Sequence, residues 1–111
     1  MKDVYNKLVR DNIPEIIVAQ GDIPVTKTLN DAEYFQALNL KLQEEVAEYF
    51  AGFCIEEIAD VLEVIHAIIE HKGISFDEIE QIRKNKKDER GSFYKRINLI
   101  EVKRKKWFVW T

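Results

Sequence analysis

Apolar side chains recur along this chain with a helical period over most of its length. From Asp31 to Ala51, Phe35, Leu38, Leu42, Val46 and Tyr49 return at steps of three and four, the interval at which one face of an α-helix repeats. From Ile55 to Lys72, Ile58, Val61, Leu62, Ile65, Ile68 and Ile69 carry a comparable stripe. The flanks supply start and stop signals. Asn30 with Glu33, and Ser75 with Glu78, have the capping-box spacing, in which side chains satisfy amides left unbonded at a helix start. Gly21, Gly52, Gly73 and Gly91 close successive periodic segments, because glycine ends a helix in the left-handed conformation at no steric cost. Asp11-Asn12 ahead of Ile13-Pro14 starts a shorter helix, since proline in the first turn gives up no hydrogen bond. The predicted helices run over 13–20, 31–51 and 55–72, and from the Ser75 cap to about Arg90. Beyond Gly91 the period shortens. Arg96–Val102 and Trp107–Trp110 read as two short strands around the turn-like Lys103–Lys106. The expected fold is one domain, 1–111, of the all-α class: a four-helix bundle-like domain with a small C-terminal β element.

Composition limits the function classes. With 46% apolar and 33% charged residues, the chain reads as one ordinary globular domain. The most apolar run, Ile58–Ile69, is interrupted by Asp60, Glu63 and His66, and it is too short and too charged to cross a bilayer. The single cysteine, Cys54, allows no intrachain disulfide, and Met1–Arg10 lacks the apolar stretch of a secretion signal. Both agree with a cytoplasmic protein. The net charge of −3 hides a segregation: residues 1–82 carry 6 Lys/Arg against 17 Asp/Glu, and residues 83–111 carry 11 against 3. An acidic body with a basic end fits a cation site beside a phosphate-reading segment, a nucleic-acid tail, or two solvated faces.

The informative chemistry is acidic. Glu44-Glu45-Val46-Ala47-Glu48 and Glu57-Ile58-Ala59-Asp60 each hold carboxylates at i and i+3, neighbours on a helix surface. At roughly 100° per residue, Glu45 falls inside the edge of the first apolar arc and Glu48 just beyond it. Glu57 lies at the margin of the second arc, with Asp60 one step further in the same sense. Antiparallel packing of the two helices would bring four carboxylates to one rim of the interface. Like charges so placed repel, and burial adds to the cost of ionising each of them. A divalent cation removes that penalty, and an all-oxygen ligand set favours Mg²⁺, Mn²⁺ or Ca²⁺. Glu56, Glu63 and Glu70 lie on the far face and read as solvated charge.

The remaining candidates are less specific. Lys41 precedes Glu45 by one turn, so it is either an i,i+4 ion pair or a phosphate contact. Lys86 and Arg90 share a face at the end of the last helix, where cations are favoured in any case. Lys7 and Arg10 bracket Leu8 and Val9. Glu63 with His66 has the Glu-x-x-His spacing of di-iron bundles, but His66 points away from the other acids. Trp107 and Trp110 suit a docked strand or a contact between copies.

Taken together, these stretches resemble a known family. Tyr5–Ile17, Glu44–Glu48, Glu57–Val64, Glu89–Phe93 and Lys95-Arg96-Ile97 are similar to segments of the MazG-like all-α nucleoside triphosphate pyrophosphohydrolases. Within that superfamily they resemble most the house-cleaning enzymes related to phosphoribosyl-ATP pyrophosphohydrolases. The family signature, E-x-x-E followed by E-x-x-D, falls on Glu45 and Glu48, then Glu57 and Asp60. The resemblance implies that these four are the catalytic and metal-binding residues and hold Mg²⁺, with Mn²⁺ as an alternative. It implies cleavage between the α- and β-phosphates of a nucleoside triphosphate or phosphoribosyl-ATP, giving the monophosphate and pyrophosphate. Lys86 and Arg90 match basic positions suited to phosphate, as Lys41 does by its placement, and Lys7 and Arg10 match the family opening. The segment Tyr49–Glu56 between the two motifs is shorter than usual in the family, and Ser92 replaces a glycine. The expected partners are a nucleotide and further copies of the chain, in a homodimer or homotetramer, with no membrane and no nucleic acid. The competing expectation is a non-enzymatic helical module that binds a partner or nucleic acid.

Overall fold

The computed structural model describes residues 1–104. Helices α1 (Ile13–Ala19), α2 (Asp31–Gly52), α3 (Ile55–His71) and α4 (Phe76–Arg90) follow in order, and no strand occurs among the described residues. The fold is all-α. No helix among these residues is long and apolar enough to cross a membrane.

Local chemistry explains the boundaries. Asn30 Oδ1 accepts the Glu33 amide at 2.9 Å, and Glu33 Oε1 accepts the Asn30 amide at 3.2 Å, so the capping box closes in both directions. Ser75 Oγ accepts the Glu78 amide at 3.2 Å. Gly73 (φ 72°) and Gly91 (φ 84°, ψ 179°) take the positive φ that favours glycine just past α3 and α4. Gly52 departs from expectation. It completes α2, and the chain reverses one residue later at Phe53, φ 55° and ψ 31°. The left-handed backbone costs a non-glycine residue roughly 1 kcal/mol. Edge-to-face packing of the Phe53 ring on Tyr49 and Phe50, at 5.6 and 6.2 Å, offsets that cost.

Helices α2 and α3 form an antiparallel hairpin. At one end Tyr34 meets His71 edge to face at 5.2 Å; at the other, Glu45 lies beside Glu57 and Asp60. Leu38, Val64 and Ile69 are buried between them, flanked by half-buried Leu42, Val61, Ile65 and Ile68. Each buried aliphatic side chain of this kind contributes about 1.5–3 kcal/mol. The buried stripe is rotated from the predicted arcs. Phe35, Val46, Ile58 and Leu62 stay exposed, while Val64, outside the predicted arc, is buried. The apolar arc on each helix is broader than one neighbouring helix can cover, and the hairpin covers the edge that carries the acids.

The rest of the chain adds little enclosure. Helix α4 meets α3 near their connecting turn, where His66 stacks on Phe76 with ring centres 4.5 Å apart. The radius of gyration is 19.9 Å, against about 13 Å for a compact domain of about this size. The expected strand over Arg96–Val102 is absent. Arg96 is itself left-handed at φ 59°, and its amide closes a turn on the Phe93 carbonyl at 3.1 Å. Residues 97–102 are exposed and find no neighbouring chain with which to form a ladder. The second expected strand, Trp107–Trp110, lies outside the described residues.

Candidate functional site

The acidic end of the hairpin is where the molecule concentrates its chemistry. Helix α2 contributes Glu45, and one turn of α3 contributes Glu57 and Asp60. One carboxylate oxygen from each lies within 4.8 Å of the others. Glu45 is buried to 8% relative exposure, the one charged residue that is buried among the described residues. The helix rotation that leaves Val46 outside is what turns Glu45 inward. Glu45 Oε2 and Glu57 Oε2 are buried and accept no hydrogen bond. Two buried carboxylate oxygens without a hydrogen bond, on residues grouped with a third acid, are costly in a folded protein.

Basic side chains pair with Glu45, with Asp60 and with the adjacent Glu44. Lys41 Nζ lies 3.4 Å from Glu45 Oε1 and 3.3 Å from Glu44 Oε2. Lys7 Nζ donates to Glu44 Oε1 at 2.9 Å, so both Glu44 oxygens are engaged. Arg10 donates to Asp60 Oδ1 at 2.7 Å. The electrostatic consequences differ between adjacent residues. Burial, followed by the Glu48 carboxylate, raises the Glu45 carboxyl above its ordinary value, with Lys41 opposing. The Lys7 hydrogen bond holds the Glu44 carboxyl below it, with Lys41 adding to the effect. The Lys7 ammonium is raised in turn, first by its hydrogen bond with Glu44.

The structure thus brings Glu45, Glu57 and Asp60 together and places the other candidates differently. Glu48 is exposed and acts on Glu45 from outside the group of three. One further helical step carries it past the rim, so the expected quartet is a trio with an outer carboxylate. Lys41 lies at the site. Lys86 and Arg90 are exposed on the last turns of α4, and neither forms an ion pair with the acids. Glu63 is exposed and His66 packs on Phe76, so neither joins an acidic group. Local spacing gave no hint of the Lys7 and Arg10 contacts, which bridge 37 and 50 residues of chain. A separate open cleft of about 350 Å³ is lined by Leu8, Asp11, Lys27, Thr28, Leu29 and Tyr34. It shares Leu8 and Asp11 with the N-terminal segment but contains none of Glu44, Glu45, Glu48, Glu57 and Asp60.

The donor set suits a hard divalent cation. All ligand atoms are carboxylate oxygens, the inner oxygens lack partners, and the group carries excess negative charge. A protein of Mycolicibacterium smegmatis described as uncharacterized is 62% identical to this chain over 46 residues, 41% of this chain and 47% of the relative. The match therefore spans about half the length of that relative. No family model matches the chain, and no solved structure matches it.

Proposed function

We propose that the protein is a Mg²⁺-dependent nucleotide pyrophosphohydrolase, cleaving between the α- and β-phosphates to release a monophosphate and pyrophosphate. The observation that carries this reading is the trio Glu45, Glu57 and Asp60, with inner oxygens of Glu45 and Glu57 buried and unbonded. The substrate class rests on the resemblance of Tyr5–Ile17 and the two acidic motifs to the MazG-like enzymes.

In this reading Glu45, Glu57 and Asp60 hold the cation. A bound divalent ion supplies charge neutralisation for a polyphosphate and acidifies a coordinated water. The residues around it have separable tasks. Lys41 holds Glu45 through one oxygen, leaving the other turned inward. Glu44 is committed to Lys7 and Lys41, so Glu48, exposed and beside Glu45, is the carboxylate suited to take a proton from water. Burial of Glu45 keeps local electrostatics strong on that side of the trio.

The reading extends to assembly. Val46 and Phe50 on α2, Phe53 at the reversal, and Ile55, Ile58 and Leu62 on α3 form exposed apolar stripes next to the acidic end. A single chain buries few side chains, and apolar stripes of this extent are sites of association. Further copies of the chain would cover them, in a homodimer or homotetramer. Leu62→Glu is expected to lower the mass measured by light scattering to that of a single chain.

The decisive assay incubates the protein with a panel of normal and modified nucleotides, with and without Mg²⁺, and measures pyrophosphate. Release that requires the metal and vanishes in Glu57→Ala supports the reading. Release that persists in Glu57→Ala, or that ignores the metal, overturns it.

A further inference from the structure

We infer that Lys7 and Arg10 exchange partners during function, neutralising the acidic site when it is empty and turning to the phosphates of the bound anion once a divalent cation is seated. This inference rests on the metal-site reading above. It assigns the anion-binding role to the N-terminal segment rather than to Lys86 and Arg90.

Charge balance is the first argument. Glu44, Glu45, Glu48, Glu57 and Asp60 form one acidic neighbourhood, and Lys7, Arg10 and Lys41 are the cations paired into it. With every one of these groups ionised, two negative charges remain uncancelled among the described residues named, the amount one divalent cation neutralises. Seating that cation removes the excess that holds Arg10 on Asp60. The guanidinium then shares Asp60 with a second cation, and a polyphosphate, which brings new negative charge, becomes its better partner.

Mobility is the second argument. Both pairs are partly solvated. Side-chain exposure is 57% for Arg10 and 38% for Asp60, so the pair is weak and readily exchanged. Lys7 is 43% exposed. Among residues 1–12, Leu8 alone is not exposed, and the two cations flank it. Asn6, immediately before Lys7, adopts a positive φ of 48°, marking a sharp change of chain direction there. The segment is pinned at one apolar residue, with its two cations free to reorient around it. Lys41 differs: it is 16% exposed and shared between Glu44 and Glu45, which fits a fixed support.

The third argument is position. Arg10 contacts an oxygen of a proposed ligand, so its guanidinium already stands where a phosphate on the cation would arrive. Arginine presents a planar fork that matches phosphate oxygens in two hydrogen bonds.

The test uses Mn²⁺ and inorganic pyrophosphate as probes, with binding measured by titration calorimetry and by the loss of the free Mn²⁺ resonance signal. Arg10→Gln removes a positive charge beside the site, so Mn²⁺ is expected to bind roughly threefold or more tightly. Pyrophosphate is expected to bind the Mn²⁺-loaded variant about tenfold more weakly than the wild type. Lys7→Gln should move both constants the same way, with a smaller effect on Mn²⁺ because Glu44 lies outside the trio. Arg10→Lys should restore most of both. Opposite signs for the two ligands are the signature of partner exchange. If Arg10→Gln weakens both ligands, it is a structural support and the inference fails. If it changes neither, the pair is an incidental surface contact and the inference fails equally. A wild-type protein that binds no Mn²⁺ would instead remove the metal site itself.

Discussion

The two ends of the α2–α3 hairpin solve the same packing problem in opposite ways. At the Tyr34–His71 end, Leu38 and Ile69 are buried and the ring contacts fit edge to face. At the reversal end, Glu45 is as buried as Ile69 and lies beside the half-buried Glu57 and Asp60. The first end lowers the free energy of folding through apolar burial. The second raises it, because unbonded carboxylate oxygens are held away from water next to like charges. Such a pattern makes sense when the strained end is stabilised by something that binds there. The comparison teaches that the acidic end is maintained at the expense of stability and that the apolar end supplies the compensation.

The largest effect expected from breaking this contrast is on turnover. Glu57→Ala removes one proposed ligand and one unbonded oxygen together. Pyrophosphate release should fall by about three orders of magnitude, or ~4 kcal/mol of barrier, while the melting temperature of the metal-free protein holds or rises. A variant that unfolds would show that Glu57 supports the hairpin, and would remove the contrast between the ends.

Next comes the apolar end. Leu38 is the most buried of the described core residues, 2% exposed. Leu38→Ala should destabilise the protein by about 3 kcal/mol, seen as a lower midpoint in chemical denaturation. The affinity for Mn²⁺ in the folded protein should change little, since the two ends are separated by about two helical turns. A large loss of Mn²⁺ affinity would mean that packing at Leu38 sets the rotation that turns Glu45 inward.

How much of this was legible in the chain varies by feature. Helix ends written in caps and glycines were readable, as Asn30, Ser75, Gly73 and Gly91 show, because capping is local chemistry. Gly52 was misleading. Aromatic packing by Phe53 shifted the reversal by one residue, and ring contacts are not encoded in turn signals. The period placed the acids at the core margin, but it could not fix the rotation of each helix to within one residue. That error put Ile58 and Leu62 in the core and left Val64 out. The Arg96–Val102 strand failed for a different reason: alternation identifies a segment able to pair, and pairing requires a neighbour. The Lys7–Glu44 and Arg10–Asp60 contacts were invisible because tertiary approach, not spacing, creates them.

The smallest expected effect separates two adjacent residues. In the metal-free protein the Glu45 carboxyl is raised above the ordinary 4.5, chiefly by burial and then by Glu48. Its contribution to stability is therefore fully present below that value and is lost as pH rises through the raised one. Glu44 has the opposite sign. The Lys7 hydrogen bond lowers its carboxyl below 4.5, so its contribution is present above that value and is lost as pH falls through the lowered one. Metal-free Glu45→Gln should thus melt higher than the wild type at neutral pH, with the gap closing toward mildly acidic pH. Glu44→Gln should melt lower at neutral pH, with its gap closing only under stronger acid. Saturating Mn²⁺ at neutral pH should reverse the first ordering, because the wild type gains binding energy that Glu45→Gln forgoes. Two variants one residue apart with opposite pH trends would locate the boundary between the satisfied and the strained carboxylates at the 44–45 bond. Parallel trends would mean that Glu45 shares the cations of Glu44 and that the acidic end holds no stored strain for a metal to relieve.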